Sequence, residues 1–196
     1  MRGVPLKQVA GDMTETQEPI TSRDIWSYPG GRQLPGFLAS VLSTLLLLSP
    51  GARPTYFSSP WMSNFNLFDN RFGAFAGLFP DLADKPFIGF SDYIVRLARR
   101  SEVRIITTKT DASAALIELL RQESADELFW RFAAEEYHEK GILGPQFYID
   151  GSMNITYSGV FVRGEKLTYY TAGTSYGRAK IASAYVEFDR RWTILR

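Results

Sequence analysis

The sequence predicts an α/β layered sandwich, a fold in which strands alternate with helices along the chain. Three observations carry that prediction. The run Val103 to Thr108 (VRIITT) is β-branched at every position but Arg104 and reads as a strand. It lies between Ser91 to Arg100, with apolar residues at 94, 97 and 98, and Ala112 to Arg121, with Leu116, Leu119 and Leu120 on one face, both at helical spacing. The chain has 196 residues, 45% of them hydrophobic and 22% charged, which suits one domain with a substantial core. Strands alternating with helices give a layered α/β architecture.

The elements follow in order. Residues 1–33 are polar, broken by Pro and Gly, and read as an N-terminal tail with at most one short helix starting near Thr21 or Ser22. A single domain is expected over 34–196. Its first segment, Phe37 to Leu48 (FLASVLSTLLLL), has 12 residues, too few to span a bilayer, and sits between Pro35-Gly36 and Pro50-Gly51. A buried core helix is the preferred reading over a secretory apolar region, because more than thirty residues of mixed charge precede it. Thr55 to Ser59 reads as a strand. The aromatic loop beyond it carries Asn64, Asn66, Asp69, Asn70 and Arg71, which either line a site or form local Asx turns. Asp111 is the expected N-cap of the helix from Ala112. Val160 to Val162 and Lys166 to Thr171 read as strands. Thr174 or Ser175 would cap a last helix burying Ile181, Tyr185, Phe188 and Trp192. Its Arg178, Lys180, Arg190 and Arg191 form either a phosphate-binding face or a solvated one.

The chemistry concentrates between residues 137 and 165. His138 is the one histidine of the chain, and an imidazole titrates near neutrality, so it can act as nucleophile, base or acid. Phe129 to Leu143 reads as an aromatic-rich strand ending in alternation. There His138, Lys140 and Ile142 share one face, opposite Tyr137, Glu139 and Leu143. Gly144-Pro145 marks a turn, and Gln146 to Ile149 is the return strand. The chain then enters Gly151-Ser152-Met153-Asn154, where glycine allows close backbone approach and Ser152 and Asn154 supply short polar groups. A Gly-Ser-x-Asn run is expected by composition at about one position in 10⁴, so its occurrence a hairpin's length from His138-x-Lys140 is informative. The set can bind a phosphoryl group and attack it.

His138-x-Lys140 followed by Gly151-Ser152-x-Asn154 resembles the HKD signature of the phospholipase D superfamily, which includes lipid-cleaving enzymes and metal-independent nucleases. Ser59-Pro60-Trp61-Met62-Ser63-Asn64 is similar to the segment ending the first core strand in many bacterial members. Ser158-Gly159 leading to Gly164-Glu165 resembles the stretch where the family places an acid beside the catalytic histidine. The likeness covers roughly residues 34 to 194, one half-domain with one motif. The combination of Ser59-Pro60-Trp61, His138-Glu139-Lys140-Gly141 and Gly151-Ser152-Met153-Asn154 resembles small single-motif proteins of bacterial DNA-modification and phage-defence clusters, the DpdK type. One departure stands out: Pro145 occupies the position of the usual aspartate five residues after the lysine, which reads as a tightened hairpin or a loss of activity.

The resemblance implies a phospholipase D-like sandwich with a mixed central sheet flanked by helices. It implies a hydrolase in which His138, Lys140, Asn154 and Glu165 are catalytic, and Lys140, Ser152 and Asn154 bind phosphate. His138 would form a phosphohistidine and Glu165 would orient it. Since two histidines are needed and no internal repeat is visible, a two-fold homodimer is expected. DNA is the expected substrate, with partner proteins of a defence or modification complex conceivable. The alternatives are a catalytically weak DNA-binding or scaffold subunit and a phospholipid-cleaving enzyme. No membrane-surface helix stands out.

Composition narrows the chemistry further. With no cysteine, thiolate zinc and Fe–S sites are excluded, and one histidine disfavours an all-protein zinc site, so no metal or other cofactor is expected. The absence of cysteine fits a reducing compartment, and a cytoplasmic location is expected. Net charge is +1, so any nucleic-acid contact must come from a local patch.

Overall fold

A computed structural model describes residues 22–48, 51–123 and 126–195. The elements are β1 (Arg23–Trp26), α1 (Gln33–Leu47), β2 (Thr55–Ser58), β3 (Asn66–Asp69), β4 (Phe87–Gly89), α2 (Phe90–Ala98) and β5 (Val103–Thr108). They continue with α3 (Asp111–Gln122), β6 (Leu128–Ala133), β7 (Gly141–Gly144), β8 (Phe147–Gly151), β9 (Lys166–Thr171) and α4 (Ser175–Ile194). Seven strands form one mixed sheet in the order β1-β9-β8-β7-β2-β5-β6, and β3 and β4 form a separate ribbon. β2, β5 and β6 run parallel, while β7, β8, β9 and β1 add on antiparallel to their neighbours.

The period-2 alternation of the central strands builds the layers. Phe57, Ile105, Ile142 and Ile149 face α1, α2 and α3, in a core with Leu38, Leu42, Ile94 and Leu116. Their neighbours Tyr56, Ile106 and Leu143 face α4, where they pack on Ile181, Tyr185 and Phe188. Phe57 meets Tyr93 edge-on, and Tyr56 meets Phe188 with ring centroids 5.3 Å apart. Both faces of the sheet are therefore covered, as parallel strands require. This is the α/β sandwich with a mixed central sheet that the sequence predicts.

Several elements stand as expected. α1 buries Leu34, Leu38, Val41, Leu42 and Leu46, and among the described residues no helix is long and apolar enough to cross a membrane. Thr174 caps α4 by accepting from the Gly177 amide at 3.0 Å. Ile181, Tyr185 and Phe188 are buried and Trp192 half-buried. β7 and β8 form the expected hairpin around Pro145-Gln146.

Four local readings are corrected. Thr21 lies outside the described residues, but Arg23–Trp26, within the stretch read as tail, forms edge strand β1 against β9 rather than a helix. The cap of α3 is Thr110, whose hydroxyl accepts from Ser113 N at 3.2 Å, and Asp111 is the first helical residue. Val160 to Val162 belongs to a π-helical turn, Ser158–Val162, and not to a strand. Finally, Phe129 to Leu143 is not one strand. β6 ends at Ala133 on one edge of the sheet, and β7 begins at Gly141 on the far side of β5 and β2. Residues 134–140 cross the ends of those two strands. A segment running across a sheet cannot extend its ladders, so His138 and Lys140 lie in a loop.

Candidate active site

The crossing loop places His138 and Lys140 over the carboxyl ends of β2 and β5, the usual ligand-binding edge of a parallel α/β sheet. Its course is fixed on both sides of the histidine. The Tyr137 hydroxyl is in short contact with Ser58 Oγ at the end of β2, and burial pushes the Tyr137 phenol up from its ordinary value. Arg191 of α4 pairs with Glu139 at 3.0 Å. Between these anchors His138 is exposed. The Lys140 ammonium donates to the His138 carbonyl at 2.8 Å. Gly141 then pairs with Ser58 on one side and Asp150 on the other, which brings the loop alongside the Gly-Ser-x-Asn run. Lys140, Gly151 and Met153 line one narrow crevice, from which the His138 side chain is absent.

Gly151 has φ of +155°, and a Cβ there would lie 2.2 Å from the Lys166 carbonyl oxygen. Glycine is thus required for the chain to press against β9. The result is a reciprocal clasp: Ser152 N donates to Lys166 O at 3.0 Å, and Lys166 N donates to Ser152 Oγ at 3.1 Å. Ser152 Oγ also donates to the Glu165 carboxylate in a short contact. Glu165 is buried and held from β1's side, since its amide donates to Ser27 Oγ at 2.8 Å and Ser27 N donates to its carbonyl at 2.8 Å. Asn154 is buried too. Its Oδ1 accepts from Ser59 Oγ at 3.1 Å, and Ser59 Oγ accepts from Ile155 N at 3.2 Å. That orientation leaves the Asn154 Nδ2 to donate to a ligand. A parallel bridge between Met62 and Ile155 joins the Ser59–Asn64 segment to the Gly-Ser-x-Asn run. The π-helical turn presses close behind, since a Cβ on Gly159 would lie 2.2 Å from the Asn154 carbonyl oxygen.

The structure therefore brings Ser152 to Glu165, and Asn154 to Ser59, with Lys140 at the crevice beside them. Among the described residues Glu165 makes no hydrogen bond to His138; its carboxylate serves Ser152. Pro145 lies in the β7–β8 turn, at the end of β7 away from the histidine loop and about 13 Å of strand distant. The missing aspartate is a feature of that far turn. Of the loop polar residues, Asn64 accepts from Ser91 N at 3.0 Å at the start of α2, and Asn70 ties Ala83, Lys85 and Phe75 together. Asp69 and Arg71 pair with each other at the surface. The basic residues of α4 are engaged within the chain, Arg190 with Glu187, Arg191 with Glu139, Arg178 on the Ala172 carbonyl and Lys180 over the Tyr170 and Tyr176 rings. Ser27 carries no signal in the sequence, and Tyr137 is read there only as facing away from His138. Ser27 reaches Glu165 across 138 positions, and no local pattern marks such a contact.

No family model matches the chain, and no curated protein matches it. Solved structures do. Nuc of Salmonella typhimurium, a phospholipase D family member, superposes with a TM-score of 0.55 at 13% identity, over 89% of this chain and 95% of that one. NucT of Helicobacter pylori gives 0.55 at 12% identity, over 89% and 98%. The polyphosphate kinase of Porphyromonas gingivalis gives 0.51 at 8% identity, over 85% of this chain and 26% of the kinase. The fold is the phospholipase D-like fold, a mixed seven-stranded sheet between helical layers.

Proposed function

We propose that the protein is a metal-independent phosphodiesterase that cleaves DNA through a phosphohistidine, as a homodimer, in a defence or DNA-modification system. The single observation that carries this is the clustering of the His138-x-Lys140 loop, Ser152 with Glu165, and Asn154 with Ser59 at one end of a phospholipase D-like sheet. A ring nitrogen of His138 attacks phosphorus, and the bond from phosphorus to the leaving oxygen breaks as the partner's His138 delivers its proton. Water then attacks the phosphohistidine and frees the imidazole, its proton returning to the second ring. Lys140 turns its ammonium from the His138 carbonyl to the phosphoryl charge, the Ser152 hydroxyl turns its one proton from the Glu165 carboxylate to a non-bridging oxygen, and Asn154 Nδ2 holds the other. Glu165 positions Ser152 and supports the histidine site. The exposure of His138 suits a ring that must meet its counterpart across a two-fold axis.

The test is cleavage of single- and double-stranded DNA in EDTA by wild type and His138→Ala. Activity that survives chelation and is lost in the variant is expected. At fixed total protein, wild type mixed and re-equilibrated with an equal amount of His138→Ala should give about one quarter of the wild-type rate rather than one half, because only dimers with two intact rings act. Hydrolysis undiminished in His138→Ala, or linear dilution by it, overturns the assignment.

A further inference from the structure

We propose that the aromatic cleft between α1, the β3–β4 ribbon and the π-helical turn is a nucleobase-stacking subsite for the nucleotide beside the cleaved phosphate. The inference rests on the function proposed above and adds the substrate form, an unpaired strand whose base is turned out of any stack.

The cleft encloses about 390 Å³, within the range of small-ligand sites, and is lined by Pro35, Asn66, Phe75, Phe87, Tyr157 and Phe161, among others. Tyr157 is 58% exposed and Phe87 37%, so the cleft presents aromatic surface to solvent. The Tyr157 ring lies over Phe161, centroids 5.1 Å apart and planes 24° from parallel, so it is held as a flat platform with its other face open. Phe161 is braced from behind by Phe65. Such a platform presents a π-face to a base, and each base accepts it whatever its sequence.

Both walls start at the proposed phosphate site. The Met62–Ile155 bridge and the 3.0 Å bond from Ser63 N to Ile155 O join them. From there one strand of chain leads to Asn66 and the other to Tyr157. Tyr157 lies three residues beyond Asn154, at most about 11 Å along the chain, and the bond from Thr156 N to Asn154 O shortens that path. A phosphate at Asn154 therefore has its neighbouring base within reach of the ring. The polar groups at the cleft fit a nucleotide better than a hydrocarbon chain. Asn66 offers an exposed amide with both a donor and an acceptor, and Arg71 stands 5.4 Å from the Phe87 ring centre at the rim. A hydrocarbon tail would gain nothing from either.

The experiment measures binding of fluorescent single-stranded DNA 8-mers to the full chain in EDTA, every protein carrying His138→Ala so that the strand is not cut, with Tyr157→Ala, Tyr157→Leu and Tyr157→Phe compared with wild type at 157. Tyr157→Ala and Tyr157→Leu should each weaken binding by about tenfold, while Tyr157→Phe keeps it, since stacking and not apolar area is lost. An 8-mer whose bases are replaced by abasic sites should bind wild type about as weakly as the intact 8-mer binds Tyr157→Ala, and the variant should not distinguish the two. Equal binding of intact and abasic strands to wild type overturns the inference. So does an affinity for phosphatidylglycerol vesicles that Tyr157→Ala removes while DNA binding stays unchanged, which would give the cleft to an acyl chain. Failure of the hydrolytic assignment reads separately, as DNA cleavage unaffected by His138→Ala with the stacking signature intact.

Discussion

Two glycines decide where the polar groups of the site can sit. At Gly151 the positive φ and the 2.2 Å approach to the Lys166 carbonyl act together, so a methyl group there faces both backbone strain and a backbone atom that cannot move aside. Gly151→Ala should cost at least about 2 kcal/mol in urea unfolding, because strained φ and overpacking each carry of order 1–3 kcal/mol. A change below about 0.5 kcal/mol would mean that the β8–β9 clasp is looser than the structure has it. Gly159 plays the same part behind Asn154. The polar residues then follow from the backbone they are attached to. Ser152 finds the Glu165 carboxylate because Gly151 brings it against β9, and Asn154 finds Ser59 because Ile155 bridges Met62. The Gly-Ser-x-Asn spacing marks a candidate site in the sequence for this reason: it encodes one close approach and two short polar groups. The partners Ser27 and Ser59 were not assigned roles by it, since each meets the site only after the sheet has formed.

At the scale of elements, the crossing loop is the part on which the proposed chemistry turns. Its seven residues leave edge strand β6, pass the ends of β5 and β2, and enter β7, and Tyr137 is the side chain that pins it to β2. Tyr137→Phe removes the hydroxyl and leaves Ser58 without that partner. Its stability cost should be about 1 kcal/mol, the usual worth of one such bond. As a positioning residue it should lower kcat for DNA cleavage several-fold with KM nearly unchanged, because the strand still binds while the His138 loop wanders. A loss confined to KM would place Tyr137 in binding instead. The alternating apolar and polar residues of 137–143 predict a strand, and that reading fails for a reason outside the segment. The chain has to travel sideways over two strands there, and hydrogen-bonded ladders run only along the strand direction. Two other elements follow their period. β5 forms over the residues expected, and α4 buries the stripe from Ile181 to Phe188, because those elements lie with one face on a core.

For the molecule as a whole, surface electrostatics give a shallow acid dependence. The Arg71 guanidinium beside Asp69 holds its carboxyl down to about 2, Arg96 holds Asp81 low, and the Thr168 hydroxyl with Lys166 holds Asp24 low. Carboxyl groups whose folded values lie below their unfolded ones stabilise the protein at pH values above the unfolded range, near 3.8, and lose that contribution as pH falls through the folded values. The thermal midpoint should therefore fall as pH drops below about 4. The slope should be gentle and flattened by salt, because all three carboxylates are exposed and screened. A midpoint that rises on acidification below pH 4 contradicts this. The layers, by contrast, are set by burial. Alternate residues of β2, β5 and β7 feed two cores on opposite faces, and their order across the sheet brings chain segments a hundred residues apart to one edge. The amino-acid sequence by itself determined the fold class, the helices and inner strands, and the residue types that point to phosphoryl chemistry, since these depend on local period, turn chemistry and composition. Only the tertiary structure decided that residues 23–26 join the sheet, that His138 rides a loop, that Glu165 serves Ser152, and that Tyr157 lines an aromatic cleft with Phe87 and Phe161. Those facts depend on which strands lie next to each other, and strand order arises from the packing of the whole sheet rather than from any one segment.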